Sequence, residues 1–221
     1  MKKSPLVYSI GIVLVYACIA WACNNEKPQA KLTTKQHMEA EAQTIKNMQS
    51  AYEGEVTATA KYDAYSKRAE SDGYHNIALL YNAVSAAENI HAINHLAVLN
   101  DAGATIPIIK PNFEVKSTKE NLNEDINGEA FEAKTMYPQF LKSAEEANNQ
   151  IAVLSLTYAM KTEQKHKFFF EQALGDINSN TLNSLPSLYF VCPACGNTYS
   201  TAAPRHCDFS LTEGKQFIKF E

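Results

Sequence analysis

Between Cys23 and Cys192 the chain has no cysteine. Disulfides therefore cannot hold its long middle, and a disulfide scaffold is excluded. An excess of basic residues is missing too. Twenty Lys and Arg stand against 24 Asp and Glu, for a formal charge of −4. That leaves no electrostatic case for nucleic acid, whose binding needs a basic face. No proline interrupts residues 33–73. What is present is a chain of 221 residues, 45% apolar, long enough for one good-sized domain and a small one.

The N-terminus reads as an export segment. "MKK" is followed by 18 uncharged residues, 6–23, a length between a signal core and a membrane span. "AWAC" resembles a bacterial lipoprotein cleavage box, with Ala20 and Ala22 before Cys23, although Trp21 is bulky; "LVYAC", ending at Cys18, is the weaker competitor. The resemblance implies a lipidated Cys23, a tether over 24–34, and attachment to a membrane on its periplasmic side or at the cell surface. The alternative is an uncleaved N-terminal anchor helix.

Beyond the tether, Ala, Glu, Lys and Gln dominate 33–73, which predicts a helix stopped at Gly73. A second helix is expected over 74–100. Gly103, Pro107 and Pro111 then give an extended connection, too long for a hairpin turn and suited to a crossover. Further helices are expected over 126–147 and 148–174. A linker rich in Asn and Ser spans 176–188, and a short turn-rich module with β-like flanks occupies 189–221. Two helical hairpins joined by one crossover make an all-α ferritin-like four-helix bundle over 35–175.

The chemistry lies in the spacing of carboxylates and histidines. Glu55 is on the first helix, Glu88 and His91 on the second, Glu129 and Glu132 on the third, Glu163 and His166 on the fourth. Each of the three pairs is spaced i, i+3, so both side chains share one helix face. Each hairpin thus offers a carboxylate on its first helix and Glu-x-x-His on its second. From Glu55 to Glu88 is 33 residues, and from Glu129 to Glu163 is 34. Glu88 sits among Ala83, Val84, Ala87 and Ile90, where an uncompensated carboxylate costs several kcal/mol. Glu from two helices with Glu-x-x-His from two others is the ligand set of di-iron bundles. Glu53 should point elsewhere, and His95 is expected at the surface.

The stretches "GEVTATAKY", "AENIHA", "GEAFEAKTMYP", "TEQKHKFF" and "CPACG" resemble rubrerythrin, over roughly residues 35–221. The resemblance implies a di-iron centre held by Glu55, Glu88, His91, Glu129, Glu132, Glu163 and His166. It also implies exchange of Glu132 for His91 with redox state, and Tyr62 and Tyr137 beside the ligands as catalytic residues. It further implies a homodimer that reduces hydrogen peroxide to water, with electrons passing from a rubredoxin-like C-terminal module, on a neighbouring subunit, and originally from an outside donor. Other readings are a ferritin-like iron-binding protein, a ferroxidase or a membrane-attached metal sensor without sustained turnover, and a four-helix lipoprotein with no metal.

The C-terminal module departs from the family at one place. Cys192, Cys195 and Cys207 match three thiolate ligands of a mononuclear iron or zinc site, but Ser210 stands at the fourth. Ser210 could ligate through oxygen. His206 or Asp208 could replace it. Cys192 and Cys195 could close a disulfide, or the alignment could be irregular here.

Overall fold

The computed structural model describes residues 32–181 and 185–221. The expected export segment and most of the tether lie outside them. Among the described residues, no helix is long and apolar enough to cross a membrane.

Residues 34–221 form one compact unit. Helix α1 (Thr34–Ser71) ends where Gly73 takes φ +83°, a left-handed value that suits glycine and lets the Tyr74 N–H close on Ala69 O at 2.8 Å. Helix α2 (His75–Asp101) buries residues around most of its circumference, among them Leu80, Val84, Ile90 and Leu99. It needs to, because α1, a later helix and the C-terminal module all pack on it.

The third helix begins earlier than the sequence suggests. Helix α3 (Thr118–Phe131) is nucleated by a capping box: the Ser117 hydroxyl accepts from the Glu120 N–H, and the Glu120 carboxylate accepts from the Ser117 N–H. The Asn-rich run after it, with weak helix formers, hides this start. A π-helical turn (Glu132–Met136) follows, then α4 (Tyr137–Glu146) and α5 (Gln150–Ser179). Helix α5 passes the expected end at Leu174 and stops at Asn180, which is left-handed at φ 57°.

The π turn has a reading in the sequence. Tyr62 follows Glu55 by seven residues, whereas Tyr137 follows Glu129 by eight. At 3.6 residues per turn, eight residues would swing Tyr137 about 80° off the Glu129 face. A wide turn absorbs the extra residue and keeps both hairpins equivalent, and it accounts for the spacing of 34 where the first hairpin has 33. Deleting the exposed Lys134 should therefore leave helical circular dichroism intact but strip at least one metal ion per chain from the bundle. Unchanged metal content in that variant would sever the link between the π turn and the site.

Two apolar clusters fill the bundle. One holds Tyr62, Tyr81 and Phe170, whose ring centroids lie 5.3–5.8 Å apart; the other holds Met48, Leu99 and Leu156. Along each helical stretch the acidic residues and histidines fall between the two, so apolar packing closes a polar layer from both ends. The C-terminal module is a three-stranded antiparallel sheet ordered β2-β1-β3, from β1 (Tyr189–Val191), β2 (Thr198–Ser200) and β3 (Ile218–Phe220). The fold class read from the sequence, an all-α four-helix bundle with a small β/turn metal module, is the fold observed.

Candidate metal centres

The polar layer gathers ligand atoms into two overlapping groups. Glu55, Glu88, His91 and Glu163 form one; Glu88, Glu129, Glu163 and His166 form the other, and within each group the ligand atoms lie within 4.8 Å of one another. Glu88 and Glu163 belong to both. That is the arrangement of two carboxylates placed between a pair of cation positions.

All six of these residues are buried, none more than 2% exposed. His91 Nδ1 lies 2.9 Å from Glu88 Oε2, 3.2 Å from Glu163 Oε1 and 3.6 Å from Glu55 Oε1. His166 Nδ1 lies 2.9 Å from Glu163 Oε2 and 3.0 Å from Glu88 Oε1. The His166 approaches are as short as hydrogen bonds, yet their angles make none. His166 Nδ1, both Glu163 oxygens and Glu129 Oε2 remain buried without a hydrogen-bond partner. Four orphaned ligand atoms converging on one layer are what a bound cation would satisfy. Carboxylates and imidazoles are suited to iron, manganese or zinc, so the residues fit a di-metal centre.

The outer nitrogens of both histidines are fixed by the C-terminal module. His91 Nε2–H donates to Cys195 O at 3.1 Å. The Thr198 hydroxyl donates to Gly196 O, which leaves its oxygen to accept from His166 Nε2–H at 3.2 Å. With Nε2–H donating outward, each ring turns Nδ1 toward the layer, where a cation would replace its proton. Gly196 makes this docking possible: its φ is +74°, and a Cβ there would lie 2.5 Å from His91 Nε2. Asn94 adds a bond from Nδ2 to Ala194 O at 3.0 Å. In this chain the C-terminal module sits on His91 and His166 of its own bundle. Thr198 carried no sequence signal, because its role arises only from this docking.

Two tyrosines hold carboxylates across the layer. Tyr62 O–H donates to Glu129 Oε1 at 2.5 Å, and Tyr137 O–H donates to Glu55 Oε1. Burial raises both phenols well above their ordinary range, so they remain donors. Glu132, on the π turn, lies outside both ligand groups and keeps some surface. Its carboxyl is nonetheless pushed well up by burial and by Glu55, Glu163 and Glu88. Glu53 is exposed, as its spacing predicts.

His95 is not at the surface. It is fully buried, with Nδ1 2.8 Å from Ser155 Oγ and Nε2 3.4 Å from Tyr137 Oη. Burial and the neighbouring His91 hold it down, at about 3, so it is neutral. The i, i+4 spacing from His91 was visible, but its partner Ser155 comes from another helix.

Without a cation the layer is electrostatically strained. Burial, then Glu88, raises Glu55 to about 8. Burial and the charge of Glu163 lift Glu129 well up. Burial opposes the His166 charge, but Glu88 and Glu163 overcome it and raise the ring to about 9. Burial likewise disfavours the Glu88 charge, and His166 and His91 reverse that, holding it below the usual carboxylate range. Protons thus occupy the layer when metal does not.

The second candidate centre is the trio Cys192, Cys195 and Cys207, all buried, free, and within 4.8 Å of one another. Cys195 and Cys207 sulfurs are 3.4 Å apart. The Cys195 thiol bonds to Cys192 and pulls it down to about 4, while Cys195 itself is pushed up as holder of the shared proton.

Residues 46–174 match the family model described as rubrerythrin. The chain is 34% identical to rubrerythrin-2 of Clostridium acetobutylicum over 180 residues, 81% of this chain and 97% of that protein. It is 32% identical to nigerythrin of Nitratidesulfovibrio vulgaris, over 76% of this chain and 85% of that one. Its structure is similar to that of the fully reduced, all-ferrous state of nigerythrin, with a TM-score of 0.72 at 31% identity, over 80% of this chain and 86% of the other. With this coverage, and the acidic layer and cysteine trio in place, the chain belongs to the rubrerythrin family.

Proposed function

We propose that this di-iron protein of the rubrerythrin type is a peroxidase that reduces hydrogen peroxide to two waters, using two electrons and two protons. The observation that carries the reading is the 3.1 Å bond from His91 Nε2 to Cys195 O. It joins a ligand of the acidic layer to the backbone of a cysteine centre. An iron store has no need of such a junction, whereas an enzyme that must be re-reduced after each turnover does.

Bound di-iron would supply the two electrons. In this reading Glu55, Glu88, His91, Glu129, Glu163 and His166 would hold it, Glu88 and Glu163 being common to both ligand groups, and Glu132 would join them. Glu132, carried on the π turn, is the carboxylate outside the two groups. Tyr62 and Tyr137 hold Glu129 and Glu55 in orientation. Tyr137 also faces neutral His95, and behind it Ser155, a buried line of groups that can resupply a proton at Tyr137 Oη. The apolar clusters at both ends limit water in the layer.

The test is peroxide consumption by the iron-loaded chain with an added one-electron reductant in excess. The reading predicts many peroxides reduced per chain at a steady rate. Consumption that stops after one peroxide per pair of irons would favour the ferritin-like alternative.

A further inference from the structure

We infer that the Ser210 hydroxyl is the fourth donor of the C-terminal centre, completing a tetrahedral site of three sulfurs and one oxygen. Ser210 Oγ lies 3.2 Å from Cys192 Sγ, and it makes polar contacts with Cys195 and Cys207 as well. One oxygen thus faces a group of three convergent sulfurs, which leaves it the natural fourth donor.

The surroundings are built for thiolates. The backbone N–H groups of Ala194, Asn197, Phe209 and Ser210 are directed at the three sulfurs. Asn197 Nδ2 and the Tyr199 hydroxyl each reach Cys207 Sγ at 3.6 Å. Amide donors around buried sulfur stabilise negative charge, and three adjacent thiolates need a cation. Ser210 has its own support: its Oγ is 2.8 Å from Thr212 Oγ1, and the Thr212 N–H donates to it at 3.4 Å. These two donors can steady an oxygen that has given up its proton to metal.

The competing donors point away. His206 is exposed, pairs by backbone bridge with Glu213, and lines a separate surface hollow with Arg205 and Lys215. The Asp208 carboxylate is 3.2 Å from the Tyr199 hydroxyl and 3.8 Å from Lys165 Nζ. Neither joins the cysteine group. The disulfide alternative also fails to match, since the cysteines are free and each sulfur has amide donors.

A hard oxygen in place of a fourth thiolate favours ferric over ferrous iron. The centre is therefore a stronger one-electron reductant than its four-cysteine equivalent, which suits delivery toward His91. That consequence rests on the peroxidase reading; the ligand assignment does not.

The experiment is titration of the reduced, metal-free full chain with cobalt(II), read by thiolate-to-cobalt charge-transfer absorption. Wild type should bind one ion with tetrahedral thiolate character. Ser210→Ala should weaken that ion at least about tenfold and alter the ligand-field bands, as expected for a lost donor. Ser210→Cys should hold it at least as tightly, with stronger charge-transfer absorption, and its iron form should have a higher reduction potential. His206→Ala and Asp208→Ala should match wild type. Wild-type affinity and bands in Ser210→Ala, or their loss in either control variant, would overturn the assignment. The Ser210→Cys result guards against misfolding, because a module that regains the site with sulfur has folded. No reading here depends on turnover, so peroxidase activity can fail without affecting the outcome.

Discussion

Glu163→Gln will empty the acidic layer of metal. Glu163 and Glu88 are the two carboxylates common to both ligand groups, and both Glu163 oxygens are buried without a hydrogen-bond partner. An amide of the same size keeps the packing but offers one oxygen and turns an NH2 group on the other cation position. Removing a residue behind a ligand already costs roughly 10–100-fold in metal affinity, and losing a shared ligand should exceed that. Iron bound per chain should fall by two after desalting, while the exposed Glu53→Gln changes nothing. The metal-free variant should also melt no lower than the metal-free wild type, because one charge has left a crowded acidic interior. Retention of both irons in Glu163→Gln would mean that the two groups do not share this carboxylate.

The second large effect is a reversal of pH dependence on metal loading. Folded Glu55 keeps its proton to about 8, against an ordinary value of 4.5, and His166 keeps its proton to about 9, against 6.5. Within those windows the folded chain binds more protons than the unfolded one, so stability falls as pH rises. Glu88 and His95 shift in the opposite direction but act below about 6.5, and Cys192, held down to about 4, opposes the trend within the window. His91, Glu129 and Glu132, all raised well up, add to Glu55 and His166 and outweigh it. Metal-free protein should therefore melt at lower temperature as pH goes from near 6 to near 9, by on the order of 5 °C for a chain of this size. Loaded protein should show no such fall, since metal replaces those protons and binds more tightly as they leave. Thermal melts of both forms across this range check the claim. A metal-free melting point that rises with pH would contradict the protonated layer.

Much of the site was legible because i, i+3 spacing is a local property of a helix. Glu88 with His91, and Glu163 with His166, must share a face wherever the helix goes, and the near-equal spacing of the two hairpins pointed both faces inward. What remained hidden was set by tertiary contact. His95 looked like a surface residue because nothing local reveals Ser155 on another helix. Thr198 and Gly196 gained their roles only when the C-terminal module docked on α2 and α5. The start of α3 was missed for a different reason. Its capping box, Ser117 with Glu120, was present in the sequence, but weak helix formers beyond it masked the signal. The single-residue difference between hairpins was visible as spacing, and only the structure shows that a π turn accommodates it.

The account stands most directly on the number of irons bound per chain when the protein is loaded and desalted under reducing conditions. Two ions in the acidic layer and one in the cysteine centre predict three. A count of one or none would contradict the di-metal layer on which the proposed chemistry depends.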